Sequence, residues 1–246
     1  MLRQRILNNH IRHISILCFF LLIVSCEKAE EETIYSFSGN YVALGDSITY
    51  GKGSINSKSW SDLIVEWMRI KNYDNYAVCG AFASSRFPNT SNTQFDLITQ
   101  IENVNPNADL VTVMIGINDC LYNKRIGSIE DEILLSTDAL DSANSFTQGL
   151  IYDLRELRGN APEALVIMIS PPGISYEVKT ELSEYISAEK KIAEAFNIPF
   201  IDISDSGYSS TDSRLCHSDR IHPTDRGYQL IASYILPKLI FYIENR

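Results

Sequence analysis

Four short segments of this 246-residue chain combine side chains that could do chemistry. They are Gly45-Asp46-Ser47-Ile48-Thr49, Cys79-Gly80-Ala81, Gly116-Ile117-Asn118-Asp119 and Asp219-Arg220-Ile221-His222-Pro223. A serine hydroxyl is a poor nucleophile until a neighbouring base takes its proton, and imidazole is the usual base near neutral pH. The chain has 4 histidines. His10 and His13 lie in an apolar N-terminal leader, which leaves His217 and His222 to fill that post. Asp219 precedes His222 by three residues, near enough on a turn to hold the second ring nitrogen and stabilise an imidazolium. His217, with Asp219 after it and Asp212 before it, is the less suggestive candidate. Asp46 and Asp119 read as acceptors for loop backbone rather than for substrate.

Something must bring residues so far apart in sequence together, and the apolar pattern says what. Tyr41–Leu44, Tyr76–Val78, Leu110–Ile115, Leu165–Ile169 and Pro199–Ile203 read as short buried strands. Helical patterns fall between and after them: Trp60–Ile70, Phe95–Ile101, a long stretch from Asp131 to Arg158, Leu182–Phe196 and Asp225–Tyr242. Strand followed by helix, repeated through the chain, predicts an α/β fold with a five-stranded parallel sheet covered on both faces. Right-handed crossovers make it an open, doubly wound sheet. Ligands bind such sheets outside the carboxyl ends of the strands, and all four segments fall at that rim or in the last polar loop.

The N-terminus reads differently. Arg3, Arg5 and Arg12 precede an apolar run from Ile14 to Val24, whose eleven residues span only about 16 Å as a helix. That is short for a bilayer core of roughly 30 Å and suits a signal peptide over residues 1–25. Ile23-Val24-Ser25-Cys26 resembles a bacterial lipobox, which makes Cys26 a candidate lipidation site. On that reading residues 26–39, with their acidic run from Glu27 to Glu32, form a solvated tether. Residues 40–246 are then the globular domain of an exported lipoprotein held at the outer membrane or cell surface.

Composition excludes some partners. The formal charge is −10. The leader carries three basic and no acidic residues, so the remainder is more acidic still, which disfavours nucleic acid. No glycine-rich phosphate loop follows the first strand, and too few histidines and no clustered ligands are present for a metal, so neither cofactor nor metal is expected. Cys79, Cys120 and Cys216 read as small packing residues. A Cys79–Cys120 disulfide tying two rim loops together is the alternative.

Taken in order, Gly45-Asp46-Ser47, Gly80, Gly116-Ile117-Asn118-Asp119 and Asp219-Arg220-Ile221-His222 resemble the blocks of the SGNH (GDSL-type) hydrolases. The likeness covers roughly residues 40–243, and Ile48 replaces the family's usual leucine. It implies a flavodoxin-like three-layer α/β/α sandwich and an ester hydrolase of the esterase/lipase type. It further implies that Ser47 is the nucleophile, His222 the general base and then acid, and Asp219 the orienting carboxylate. The oxyanion hole would be the backbone N–H groups of Ser47 and Gly80 with the side-chain amide of Asn118. Physics agrees: glycine admits close backbone approach, and a fixed amide stabilises developing charge without reorganising. Short-chain or carbohydrate O-acetyl esters are the expected substrates, with lipid or lysophospholipid acyl chains as the alternative. Tyr73, Tyr76, Phe82, Arg86 and Phe87 are candidate rim residues for either. An inactive glycan-binding lipoprotein is the remaining reading, and it gives no reason to keep Ser47, Asn118, Asp219 and His222 together.

Overall fold

The computed structural model describes residues 35–84, 96–140, 145–174 and 182–246. Cys26, Arg86 and Phe87 lie outside them. Residues 35–246 form one compact unit. It starts slightly ahead of residue 40, because Phe37 is buried and its N–H donates to the Met68 carbonyl.

Five strands form one sheet: β1 (Asn40–Gly45), β2 (Asn72–Asn75), β3 (Leu110–Met114), β4 (Leu165–Ile169) and β5 (Phe200–Ile201). Their order is β2-β1-β3-β4-β5 and every pairing is parallel. This is the flavodoxin-like order, whose switch point lies between the first and third strands. Alternating side chains leave the two faces in different cores. Val42 and Leu44 of β1 join Val111, Val113, Val166 and Met168 on one face. Tyr41 and Ala43 join Leu110, Met114, Ile167 and Ile169 on the other.

Nine helices occur among the described residues. In chain order they are α1 (Ser47–Tyr50), α2 (Trp60–Trp67), α3 (Leu97–Ile101), α4 (Ile117–Leu121), α5 (Ile129–Glu132), α6 (Thr137–Leu140), α7 (Phe146–Asn160), α8 (Leu182–Ala195) and α9 (Asp225–Glu244). The first core is closed by α3, α7 and α8, and the second by α2 and α9. The result is a three-layer α/β/α sandwich. Burial of each large apolar side chain contributes roughly 1.5–3 kcal/mol, which makes these two layers the main source of stability. Among the described residues no helix is long and apolar enough to cross a membrane.

The expected elements shift in four places. The second strand is Asn72–Asn75, not Tyr76–Val78. Beyond it, the Tyr76 and Val78 N–H groups still bond the Ala43 and Gly45 carbonyls, so apolar content marks the strand's continuation rather than its paired start. The third strand stops at Met114, because Gly116 turns the chain at φ 103°. The long helix expected from Asp131 to Arg158 is α5, α6 and α7, with Ser145 capping α7 by accepting from the Gln148 N–H. Only Phe200 and Ile201 of the expected last strand pair with β4.

Candidate active site

The end of β1 turns directly into α1. Asp46 caps that helix, its buried carboxylate accepting from the Ile48 N–H at 2.9 Å. The turn leaves Ser47 first in the helix and 5% exposed. Ser47 therefore stands at a helix start with its hydroxyl at the sheet's carboxyl rim. The turn is held from below by Gln100 of α3, whose side-chain amide donates to the Gly45 carbonyl and accepts from the Gly45 N–H, both at 2.8 Å.

The last loop meets this serine. His222 Nε2 lies 2.9 Å from Ser47 Oγ, and His222 Nδ1 lies 2.6 Å from Asp219 Oδ2. The other Asp219 oxygen accepts the backbone N–H groups of Ile221 at 2.9 Å and His222 at 3.0 Å. Arg220, at φ 59°, makes the left-handed step that lets one carboxylate serve both. Burial pushes the Asp219 carboxyl upward, but the hydrogen bonds from the His222 side chain and the two backbone N–H groups outweigh it, and the pKa falls to about 2. Asp219 is thus ionised across the neutral range, while its side chain remains 45% exposed. A hydroxyl, an imidazole and a carboxylate connected in this way can pass a proton from oxygen to nitrogen and hold the resulting cation.

Two more loops follow β2 and β3, the strands that flank β1, at the same carboxyl end of the sheet. Gly80 lies at φ 85°, a conformation that glycine adopts without strain, and a Cβ there would meet nothing within 4 Å. Asn118, on α4, is 8% exposed and donates one amide hydrogen to the Ala81 carbonyl at 2.8 Å. That bond ties α4 to the Gly80 loop and fixes the amide's plane. Among the described residues the backbone N–H groups of Ser47 and Gly80 have no protein acceptor.

A family model for the GDSL-like lipase/acylhydrolases matches residues 43–230. The chain belongs to that family. It is an ester hydrolase on an α/β fold, and solved structures share the fold at low identity. A Lactobacillus plantarum protein is 20% identical, with 83% of this chain and 97% of that one covered and a TM-score of 0.68. A possible lipase from Chitinophaga pinensis is 19% identical over 82% and 98%, with a TM-score of 0.64. Phospholipase A1 from Streptomyces albidoflavus is 20% identical over 84% and 100%, with a TM-score of 0.57. No curated protein matches the sequence significantly.

In this GDSL-like hydrolase, His217 does not meet Ser47. Its Nε2 lies 2.7 Å from the Gly53 carbonyl, and its N–H donates to the His222 carbonyl. It straps the segment after α1 to the loop that carries His222. Tyr228 adds a second strap, its hydroxyl donating to the Lys52 carbonyl at 2.8 Å, and Asp225 a third, accepting from Ser54 at 2.6 Å. Asp119 accepts from the Ala83 and Ser84 N–H groups, which secures the chain just beyond Gly80. Burial raises its pKa, partly offset by those bonds.

Cys79, Cys120 and Cys216 are free thiols, so the alternative of a Cys79–Cys120 bridge is not realised. The Asn118–Ala81 and Asp119–Ala83 bonds join those loops instead. Among the candidate rim aromatics, Tyr73 instead stacks on Tyr41 and bonds Ser61, and Tyr76 packs against the first core. Phe82 does reach the rim, where its ring meets Tyr122 edge-on at 5.3 Å with the Lys124 ammonium 5.2 Å from its centroid.

Gln100 and the Asp225 strap carry no signal readable in one sequence, since a glutamine in an amphipathic helix normally faces water. Tyr122 had a signal that went unused: it lies four residues after Asn118 and so shares its helix face.

Proposed function

We propose that the protein is a serine esterase that hydrolyses short-chain acyl or carbohydrate O-acetyl esters through an acyl-Ser47 intermediate. The observation that carries the reading is the unbroken line Ser47 Oγ, His222 Nε2, His222 Nδ1, Asp219 Oδ2 at 2.9 and 2.6 Å. Ser47 Oγ attacks the ester carbonyl as its proton passes to His222 Nε2. The carbonyl oxygen becomes an oxyanion, stabilised by the N–H groups of Ser47 and Gly80 and by the free amide hydrogen of Asn118. Collapse breaks the bond to the alcohol oxygen, which leaves with the proton from His222. Water then attacks the acyl carbon, gives a proton to His222 and forms a second tetrahedral intermediate. Its collapse releases the carboxylic acid and returns the proton to Ser47 Oγ.

The lean toward small or sugar esters rests on the rim. Tyr122 is 68% exposed and half-buried Phe82 stands beside it, next to the loops of Gly80 and Asn118. Flat aromatic faces of this kind suit stacking on a sugar ring. Likeness to a phospholipase A1 keeps acyl lipids as the second reading. A fluorophosphonate probe should add its mass to Ser47 and to no other residue, and Ser47→Ala should abolish turnover with the fold intact. Near-full esterase activity in Ser47→Ala overturns the mechanism. A chain-length series of p-nitrophenyl esters run beside acetylated xylan decides between the two substrate classes.

We also propose that residues 1–25 are a lipoprotein signal peptide and that Cys26 carries the lipid anchoring the enzyme at the outer membrane or cell surface. The basic start, short apolar run and Ser25-Cys26 pair support this. Labelling with an alkynyl palmitate should be lost in Cys26→Ala, and persistence of the label refutes the anchor.

A further inference from the structure

At the edge of the sheet opposite β2 lies an open cleft that the proposed reaction does not use. Its volume is about 460 Å³, inside the range of roughly 300–1,000 Å³ that small-ligand sites occupy. One wall is β5 and the chain after it, with Phe200, Ile201, Asp202 and Asp205, and the other is α9. Across strands spaced about 4.8 Å apart, β5 stands about 14 Å from β1, whose end leads into Ser47.

The α9 wall departs from the usual pattern of a surface helix. Ile231, Ile235, Leu239 and Ile243 are buried in the second core. Beside that stripe, Tyr234, Pro237, Lys238 and Phe241 recur at the spacing of a second face, largely aromatic where a polar one is expected. Phe241 is 58% exposed, and its ring meets Tyr242 edge-on at 5.5 Å, which orients it. The Lys238 ammonium lies 3.6 Å from the Tyr234 ring centroid, held there by cation–π attraction. On the β5 wall, Asp202 Oδ1 accepts from the Ser204 N–H at 2.9 Å and the Ser204 hydroxyl at 2.6 Å. Those bonds fix the carboxylate and leave Oδ2 to accept from a ligand.

We infer that this cleft is a second binding site, for a neutral oligosaccharide, with Phe241 as its stacking surface and Asp202 as an acceptor of sugar hydroxyls. The lining decides the ligand class. A cation would meet Lys238, and an anion would meet Asp202 and Asp205. An acyl chain would have to strip water from all three charges. Sugar rings have apolar faces that lie on aromatic rings, and hydroxyls that both donate and accept, so they use every group present. The site is separate from the rim of Ser47 and holds a glycan whether or not Ser47 is the nucleophile.

Isothermal titration calorimetry of the full-length protein with xylohexaose, cellohexaose, mannohexaose and maltohexaose tests the site. None of these sugars carries an ester, so binding is read without turnover. At least one should bind saturably. Phe241→Ala should weaken that sugar by about tenfold or more, and Asp202→Ala by about three- to tenfold. Both side chains are exposed, so the variants should fold, and both should keep wild-type kcat on p-nitrophenyl acetate. No saturable binding by any of the four at about 10 mM overturns the inference. So does binding lost in Tyr122→Ala but kept in Phe241→Ala, which would put the sugar at the rim. Tetramethylammonium chloride and sedimentation of the protein alone cover other occupants. A cation that binds where the sugars do not, or self-association abolished by Phe241→Ala, also overturns it. Sugar binding intact in a protein that the fluorophosphonate does not label at Ser47 sinks the nucleophile reading alone.

Discussion

Replacing Asp219 by Asn tests the proposed acid–base line most sharply, because the substitution changes hydrogen-bond polarity and almost nothing else. Asp219 Oδ1 takes the Ile221 and His222 N–H groups at 2.9 and 3.0 Å, and an asparagine carbonyl can keep both, so the loop should survive. The new amide would then face His222 Nδ1, where the carboxylate stands at 2.6 Å. It presents a donor, which forces the neutral ring to carry its proton on Nε2, the nitrogen that faces Ser47. That tautomer cannot accept the hydroxyl proton. The charge partner of the imidazolium is lost too. Unit charges about 4 Å apart interact by about 1 kcal/mol in water and about 4 kcal/mol near a protein surface. A side chain 45% exposed lies toward the lower end, worth about tenfold in rate. Together with the tautomer defect, which alone reaches up to about 10⁴-fold in fully buried triads, this predicts a fall in kcat of about 10³-fold with KM little changed. Initial rates on a soluble p-nitrophenyl ester at pH 7–8, with circular dichroism as the folding control, measure it. A variant that keeps more than a tenth of wild-type kcat refutes the role. The same carboxyl has a folded pKa of about 2 against an ordinary 3.8, so its contribution to stability is present above pH 3.8 and is lost as pH falls through 2. Asp219→Asn should show a flatter acid-unfolding profile in that window.

Asn118→Ala should lower kcat by about 10²- to 10³-fold through loss of an oxyanion donor. It should also cost about 1–3 kcal/mol in denaturant unfolding, because the Ala81 carbonyl loses its 2.8 Å partner. Gly149→Ala in α7 should destabilise even though alanine favours helix by about 1 kcal/mol. Its Cβ would lie 2.1 Å from the Ala83 carbonyl, an overlap that costs about 1–3 kcal/mol or more, and a midpoint at or above wild type contradicts that packing. His217→Ala should leave kcat within a few-fold while costing about 1 kcal/mol of stability for the strap to Gly53; a 10³-fold loss of kcat would instead make His217 part of the chemistry.

Much of this molecule was legible because two kinds of pattern agreed. Val42, Leu44, Val111, Val113, Val166 and Met168 are apolar because both sheet faces are covered, and continuous apolar runs mark such strands even where they cannot fix the ends. Ser47, Asn118, Asp219 and His222 stood out by type, order and position after strands, and the structure joins Ser47, His222 and Asp219 in one hydrogen-bonded line. What stayed hidden depends on three-dimensional neighbours. The second strand was misplaced because Asn72 to Asn75 is polar and belongs to the sheet's edge, where pairing needs no apolar run. The start of α7 is set by local capping at Ser145, which a periodicity count runs past. Gln100 and Glu189 look like ordinary surface residues of amphipathic helices until the fold buries them against strand ends.

Those buried residues bear on the proposed reaction. In the proposed reaction negative charge develops on the ester carbonyl oxygen, while Asp46, Asp119 and Glu189 are buried and acidic close to one another. Two unit anions about 7 Å apart in a protein environment repel by about 2 kcal/mol, roughly a 30-fold penalty in rate for each ionised acid left uncompensated. Asp119 escapes most of this because two backbone N–H groups spread its charge. Burial raises the pKa of both Asp46 and Glu189, which favours their uncharged forms. Asp46 and Asp119 then act as struts for Ser47 and the loop after Gly80 instead of opposing the oxyanion. On this argument the alkaline limb of the wild-type enzyme should appear in kcat as lost transition-state stabilisation, before any loss of fold is detectable by circular dichroism.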